Sequence, residues 1–177
     1  MYSDIKQIRK SIRVYFILSL LLCCISLIGV LFLENFFQLT PCPLCLIQRI
    51  CLISIILVCF IAVAHNPKKY GYIIYGSLLL LMTLTGLIVA ARQIWLQHQP
   101  PGSIASCGAD IKFMFQNLPF TNFVGYLFQG TADCAEVQWK FLDISLPGWS
   151  IILFICLAGI YIAQIIKNCK SLHSKKK

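Results

Sequence analysis

Two cysteines separated by two residues, Cys42 and Cys45 in the run Pro41-Cys-Pro-Leu-Cys45, have the spacing in this chain best suited to chemistry. Cys-x-x-Cys lets two thiols close a small ring, and it serves dithiol redox sites and metal sites alike. A structural disulfide is the plain alternative. Pro41 and Pro43 bracket Cys42, fixing local backbone angles and removing two amide donors. Cys45 falls where a helix is expected to begin, and the unpaired amides and positive dipole end of a first turn favour an anion. Cys45 is therefore the expected resting thiolate. Arg49 follows four residues later, on the same helix face and one turn deeper. A positive charge there would stabilise the thiolate and donate to an electron-rich oxygen of a bound cofactor. Snorkelling to a membrane interface is its other reading.

Two further cysteines, Cys107 and Cys134, share one long later loop. Closing a bond between them would restrict the unfolded chain by about 3 to 4 kcal/mol, which supports a stabilising role. A second pair on the same side equally allows thiol–disulfide exchange between the loops. Spacing alone leaves both readings open. Four thiolates are a common zinc set, but only one Cys-x-x-Cys is present and the usual twin-knuckle spacing is missing, so no metal site is read. The other six cysteines (Cys23, Cys24, Cys51, Cys59, Cys156, Cys169) lie in or beside apolar runs, where free Cys behaves as a small hydrophobe.

The elements that must position these thiols are membrane helices. The chain is 59% hydrophobic and only 12% charged, with a mean hydropathy of +0.81, too apolar for an ordinary soluble domain. Four nearly charge-free segments, at about 14–33, 46–64, 71–91 and 149–166, are each long enough to cross about 30 Å of hydrocarbon at about 1.5 Å per residue. They predict an all-α protein, a four-helix transmembrane bundle forming one domain over 1–177. One short outer loop (about 34–45) and one long outer loop (about 92–148) complete it. The first segment is too long for a typical signal peptide and lacks a small-residue cleavage site, so it is read as retained.

The formal charge of +9 does not describe a nucleic-acid surface, because eleven of the fifteen Lys and Arg residues sit at the termini and in the 65–70 turn. Those three segments must share a side of a four-span protein, and their positive charge makes it cytoplasmic. Both termini are thus expected in the cytoplasm. Both outer cysteine pairs then face outward, in a bacterium toward the periplasm, where disulfides persist. The aromatic-rich stretch at 111–128 suits either the membrane interface or packing onto the bundle. His98 is on the outer side, but nothing in the sequence sets it beside a cysteine.

Three stretches carry a resemblance: Pro41-Cys-Pro-Leu-Cys-Leu-Ile-Gln-Arg49, Ala91-Arg-Gln-Ile-Trp-Leu-Gln97, and Asp133-Cys-Ala-Glu-Val-Gln-Trp139, preceded by Cys107. Together with the four spans and the order of short and long outer loops, the chain resembles the bacterial disulfide bond formation protein B (DsbB) family over nearly its whole length. The resemblance implies a quinone-dependent oxidase of protein dithiols in the bacterial inner membrane. It implies Cys42–Cys45 and Cys107–Cys134 disulfides and a transient Cys42–Cys134 bond. A reduced DsbA-like periplasmic partner would attack Cys107, Cys134 would exchange onto Cys42, and Cys45 would donate into a quinone held near Arg49. Ubiquinone is favoured over menaquinone. Arg92, Gln93 and Trp95 are weaker candidates for lining that quinone cleft, since Trp95 equally suits an interfacial anchor. Gln48 stands where some relatives have Glu, and Pro43 occupies a variable position; both bear on the redox poise. The client could be a general dithiol carrier or one dedicated protein. A different class of reading, a four-span scaffold of tetraspanin type stapled by structural disulfides, expects a Cys-Cys-Gly element that the long loop does not have.

Overall fold

The computed structural model describes residues 2–39, 41–65, 67, 69–99, 132–135, 137 and 139–173. Four long helices run up and down: α1 (Tyr2–Phe37), α2 (Pro43–His65), α3 (Lys69–Gln97) and, last in the chain, α5 (Leu146–His173). Each contains a stretch long and apolar enough to span a membrane. They close into a bundle in the order α1, α2, α3, α5, with α5 returning to α1. A single short turn of helix, α4 (Ala132–Ala135), and a small antiparallel hairpin of β1 (Lys140–Phe141) and β2 (Ile144–Ser145) precede α5. The four-helix membrane bundle expected from hydropathy is thus the architecture; the hairpin is an addition that hydropathy did not foreshadow.

Phe16, Ile55, Leu79, Phe154, Leu157 and Tyr161 fill the centre of the bundle. Outward-facing Ile25, Phe60, Leu81 and Ile155 are exposed, as helices bathed by lipid require. Close approach of α3 and α5 depends on Gly86, where a Cβ would come 2.5 Å from the Phe154 ring. Cys23 and Cys59 pack inside this core, whereas Cys156 and Cys169 lie on the outward surface.

The helices extend past the spans that hydropathy marks, and the extensions shape the cysteine-bearing end. α1 continues beyond 33 to Phe37, so Glu34, expected on the short loop, lies in its last turn. There Gln38 adopts a left-handed conformation (φ 53°) and the Leu39 amide donates to the Glu34 carbonyl at 3.1 Å, a Schellman stop formed without glycine. α2 begins three residues before the expected 46. Pro43 sits at its first position, where a missing amide costs no helical bond. Cys42 caps the turn, its Sγ accepting from the Cys45 amide at 3.4 Å and its carbonyl from the Leu46 amide at 3.2 Å. At the far end of α3, His98 Nδ1 donates to the Ile94 carbonyl at 2.8 Å and helps close the helix.

The hairpin turns through Leu142 and Asp143, both at positive φ (54° and 60°), the type I′ geometry of a two-residue loop. Ser145 Oγ donates to Gln97 Oε1 at 3.0 Å, which ties the start of α5 to the end of α3.

Candidate functional site

The Cys42 cap puts the two motif thiols against each other at the start of α2, Sγ to Sγ 3.1 Å. Cys42 is 4% exposed and Cys45 only partly exposed. Cys134, on α4, is fully buried in the same small apolar cluster, with Leu44, Val89 and Leu96 around it. Its thiol shares a hydrogen bond with Cys42. Cys42 thus has thiol partners on both α2 and α4, Cys45 and Cys134, although Cys134 is far away in sequence.

That position governs the acidity of Cys42. Its thiol is pushed far above the usual thiol range, first by the hydrogen bond with Cys134, then by that with Cys45, then by burial. Cys42 stays protonated at neutral pH. Cys45, in the first turn of α2, faces the unpaired amides of the helix start.

Two glutamines complete the sulfur end. Gln93 on α3 is 3% exposed and places Nε2 3.3 Å from Cys42 Sγ and 3.2 Å from Cys45 Sγ. Gln48 on α2, 5% exposed, donates through Nε2 to Gln93 Oε1 at 2.7 Å. Arg49, one turn deeper than Cys45, is bound through Nη2 to the Glu34 carboxylate of α1, both side chains largely shielded. Arg49 Nε is buried and meets no acceptor among the described residues. A buried, unmatched donor of this kind suits an oxygen acceptor of a bound ligand.

Of the residues expected at the site, Cys42, Cys45, Cys134 and Gln93 come together, and Arg49 lies one turn further along α2, paired with Glu34. Gln93 does so against the sulfurs. Arg92 and Trp95 do not join them: both are exposed, and the Arg92 guanidinium stacks 4.5 Å over the Trp95 ring, the arrangement of an interfacial anchor. Cys107 lies outside the described residues. Sequence reasoning did not single out Glu34, and it noted Gln48 only for its type. The available signals were a carboxylate shortly before the cysteine motif and a glutamine inside an otherwise apolar helix.

A family model described as disulfide bond formation protein DsbB matches residues 12–164. The disulfide bond formation protein B of Nitrosococcus oceani is 36% identical over 157 residues, covering 89% of this chain and 93% of that protein. That of Stutzerimonas stutzeri is 38% identical over 156 residues, 88% of this chain and 96% of the relative. That of Saccharophagus degradans is 39% identical over 146 residues, 82% and 88% respectively. No solved structure matches the chain significantly.

Proposed function

The chain belongs to the DsbB family of disulfide bond formation proteins, an oxidoreductase of the membrane, and from that premise we propose that it reoxidises a DsbA-like dithiol partner and passes the electrons to quinone. The observation that carries this reading is the burial of Cys134 against Cys42, which brings a loop thiol into line with the helix-start pair. We place the protein in the bacterial inner membrane, with its cysteine-bearing end in the periplasm and both termini in the cytoplasm, as the distribution of Lys and Arg supports.

In the oxidised enzyme Cys107 pairs with Cys134 and Cys42 with Cys45. A partner thiolate attacks Cys107, forming a mixed disulfide and releasing Cys134 as a thiolate. The partner's second thiol displaces Cys107 and leaves the partner oxidised. Cys134 then attacks Cys42; the Cys42–Cys45 bond breaks, a Cys134–Cys42 bond forms, and Cys45 leaves as a thiolate. Cys107 next attacks Cys134, restoring the loop disulfide and returning the electron pair to the Cys42/Cys45 dithiol. A bound quinone supplies the two-electron, two-proton sink that this dithiol requires, because a strongly oxidising partner (about −120 mV for DsbA) leaves few thiol acceptors above it. Arg49 and Cys45 would hold it, Arg49 through its buried Nε. Arg49 would bring positive charge one turn from Cys45 along α2, while Glu34 fixes the guanidinium from α1. Ubiquinone is our first choice, with menaquinone as the alternative.

The test is a coupled assay of the purified full chain with a reduced DsbA-like protein and a soluble quinone of each type. One quinone should be consumed for each partner disulfide formed. Partner oxidation without quinone loss, or no reaction with either quinone, would overturn the reading.

A further inference from the structure

The two buried glutamines have an order of their own. Gln48 comes from the first turns of α2 and Gln93 from the end of α3, and each is at least nine-tenths buried. A primary amide presents an acceptor oxygen and a donor nitrogen that are almost the same size, so only its partners decide which way it faces. In the structure Gln48 presents its Nε2 to Gln93 Oε1 at 2.7 Å, so the oxygen is held on Gln48. The donor end must then face the sulfurs, at 3.2 Å from Cys45 and 3.3 Å from Cys42. Gln93 Oε1 is farther from Cys45, at 3.6 Å.

We propose that Gln93 is a catalytic amide donor to the Cys45 sulfur when it leaves as a thiolate, and that Gln48 is the positioning residue that fixes the direction of that amide. The inference deepens the proposed function and rests on it for the exchange step. As Cys134 attacks Cys42, the electron pair of the breaking Cys42–Cys45 bond goes to Cys45 Sγ. An N–H already aimed at that atom meets the new charge without reorganisation, as donors at an oxyanion do. A better stabilised leaving thiolate also leaves faster. Because both amides are neutral, the device works without a proton of its own.

Glutamate at 48 would act in the opposite sense. A carboxylate can only accept, so it would take the Gln93 N–H and turn the amide oxygen toward Cys45; protonated, it could donate again. Among the described residues, the groups around Cys45 that could confuse such a pH effect are few. Cys42 lies at its own helix start and Cys134 comes from α4. Arg49 on α2 is paired with Glu34 of α1, and Arg92 on α3 is turned outward onto Trp95.

The experiment follows the rate of Cys45 alkylation by iodoacetamide between pH 4 and 9 on the reduced full-length protein, read from the Cys45 peptide by mass spectrometry. Gln93→Met and Gln48→Met should each slow alkylation about tenfold at pH 6, the size of one charge-assisted hydrogen bond, and level with the parent at high pH. Gln48→Glu should match the parent at low pH and fall behind it as the carboxylate ionises, a crossing that a packing defect would not produce. Unchanged Cys45 profiles in Gln93→Met, or a Gln48→Glu profile parallel to the parent at every pH, would overturn the proposal. The alkylation readout needs neither partner nor quinone, so failure of the coupled assay and failure of this inference are separate results.

Discussion

Among the described residues, sulfur is buried in two places, and their surroundings differ. In the middle of the bundle, Cys59 lies 3.3 Å from Ser19 Oγ and 3.6 Å from the Tyr161 hydroxyl, with Cys23 fully buried in the same core. At the cysteine-bearing end, Cys42 and Cys134 are buried to a similar degree and Cys45 is half-buried beside them. The difference lies in what surrounds them. The central cysteines sit in mid-helix, where backbone amides are already bonded within the helix, and their neighbours are hydroxyls and one another's thiols. The end cysteines have a helix start, an aimed amide donor and a third thiol bonded to Cys42, with a guanidinium one turn further along α2. A helix start and an aimed amide, which the mid-helix thiols do not have, are what suit the end thiols to the proposed exchange.

The sharpest way to break this comparison is to exchange sulfur for oxygen in both regions. Cys45→Ser or Cys134→Ser should abolish quinone-coupled oxidation of the partner, whereas Cys23→Ser or Cys59→Ser should leave turnover within about twofold, since buried structural thiols act by packing. Full turnover in either end variant, measured by partner thiol loss, would erase the distinction.

The charges beside the sulfurs come next in size. Arg49→Met should lower kcat/KM for quinone about 10- to 100-fold, the value of one or two hydrogen bonds to a charged group. Glu34→Gln should cost less, about two- to tenfold, because it loosens the guanidinium without removing it. An ordering reversed between these two would place Glu34, not Arg49, at the cofactor.

Cys42 and Cys45 should also separate by pH. The Cys42 thiol, held far above its usual range, should resist alkylation at pH 7 and react only well above the ordinary thiol value of about 8.5, while Cys45 reacts first. Peptide mapping after a brief iodoacetamide pulse reads the order directly.

Smallest at the site is a change in the bundle. Gly86→Ala presses on the Phe154 ring and should lower stability by about 1 to 3 kcal/mol, with turnover per folded molecule unchanged. A loss of specific activity there would mean that the two regions are mechanically linked.

Much of this was legible before any coordinates. Runs of apolar residues fix four helices, because hydrocarbon leaves a lone backbone no other way to satisfy its amides. Cys-x-x-Cys and an arginine four residues on announce a thiol site with a nearby charge. What the sequence hides is contact between helices. Gln48 meets Gln93 because α3 runs on to Gln97, past the 91 that hydropathy marks, and Arg49 meets Glu34 because α1 runs on to Phe37. The end of α1 is set by a left-handed Gln38 and the start of α2 by a cysteine cap, local devices that hydropathy does not register. Arg92 and Trp95 show the converse: sharing a stretch with Gln93 does not bring them to the sulfurs, because successive helical residues point in different directions.

The central claim is that Cys134 reaches Cys42 and not another thiol. It is tested most directly by removing both outer partners, in the double variant Cys45→Ser with Cys107→Ser, and mapping disulfides by mass spectrometry after mild oxidation. The account predicts one new intramolecular bond, Cys42 to Cys134, formed in high yield within the monomer. Cys42 remaining a thiol, or pairing with any other cysteine, would contradict it.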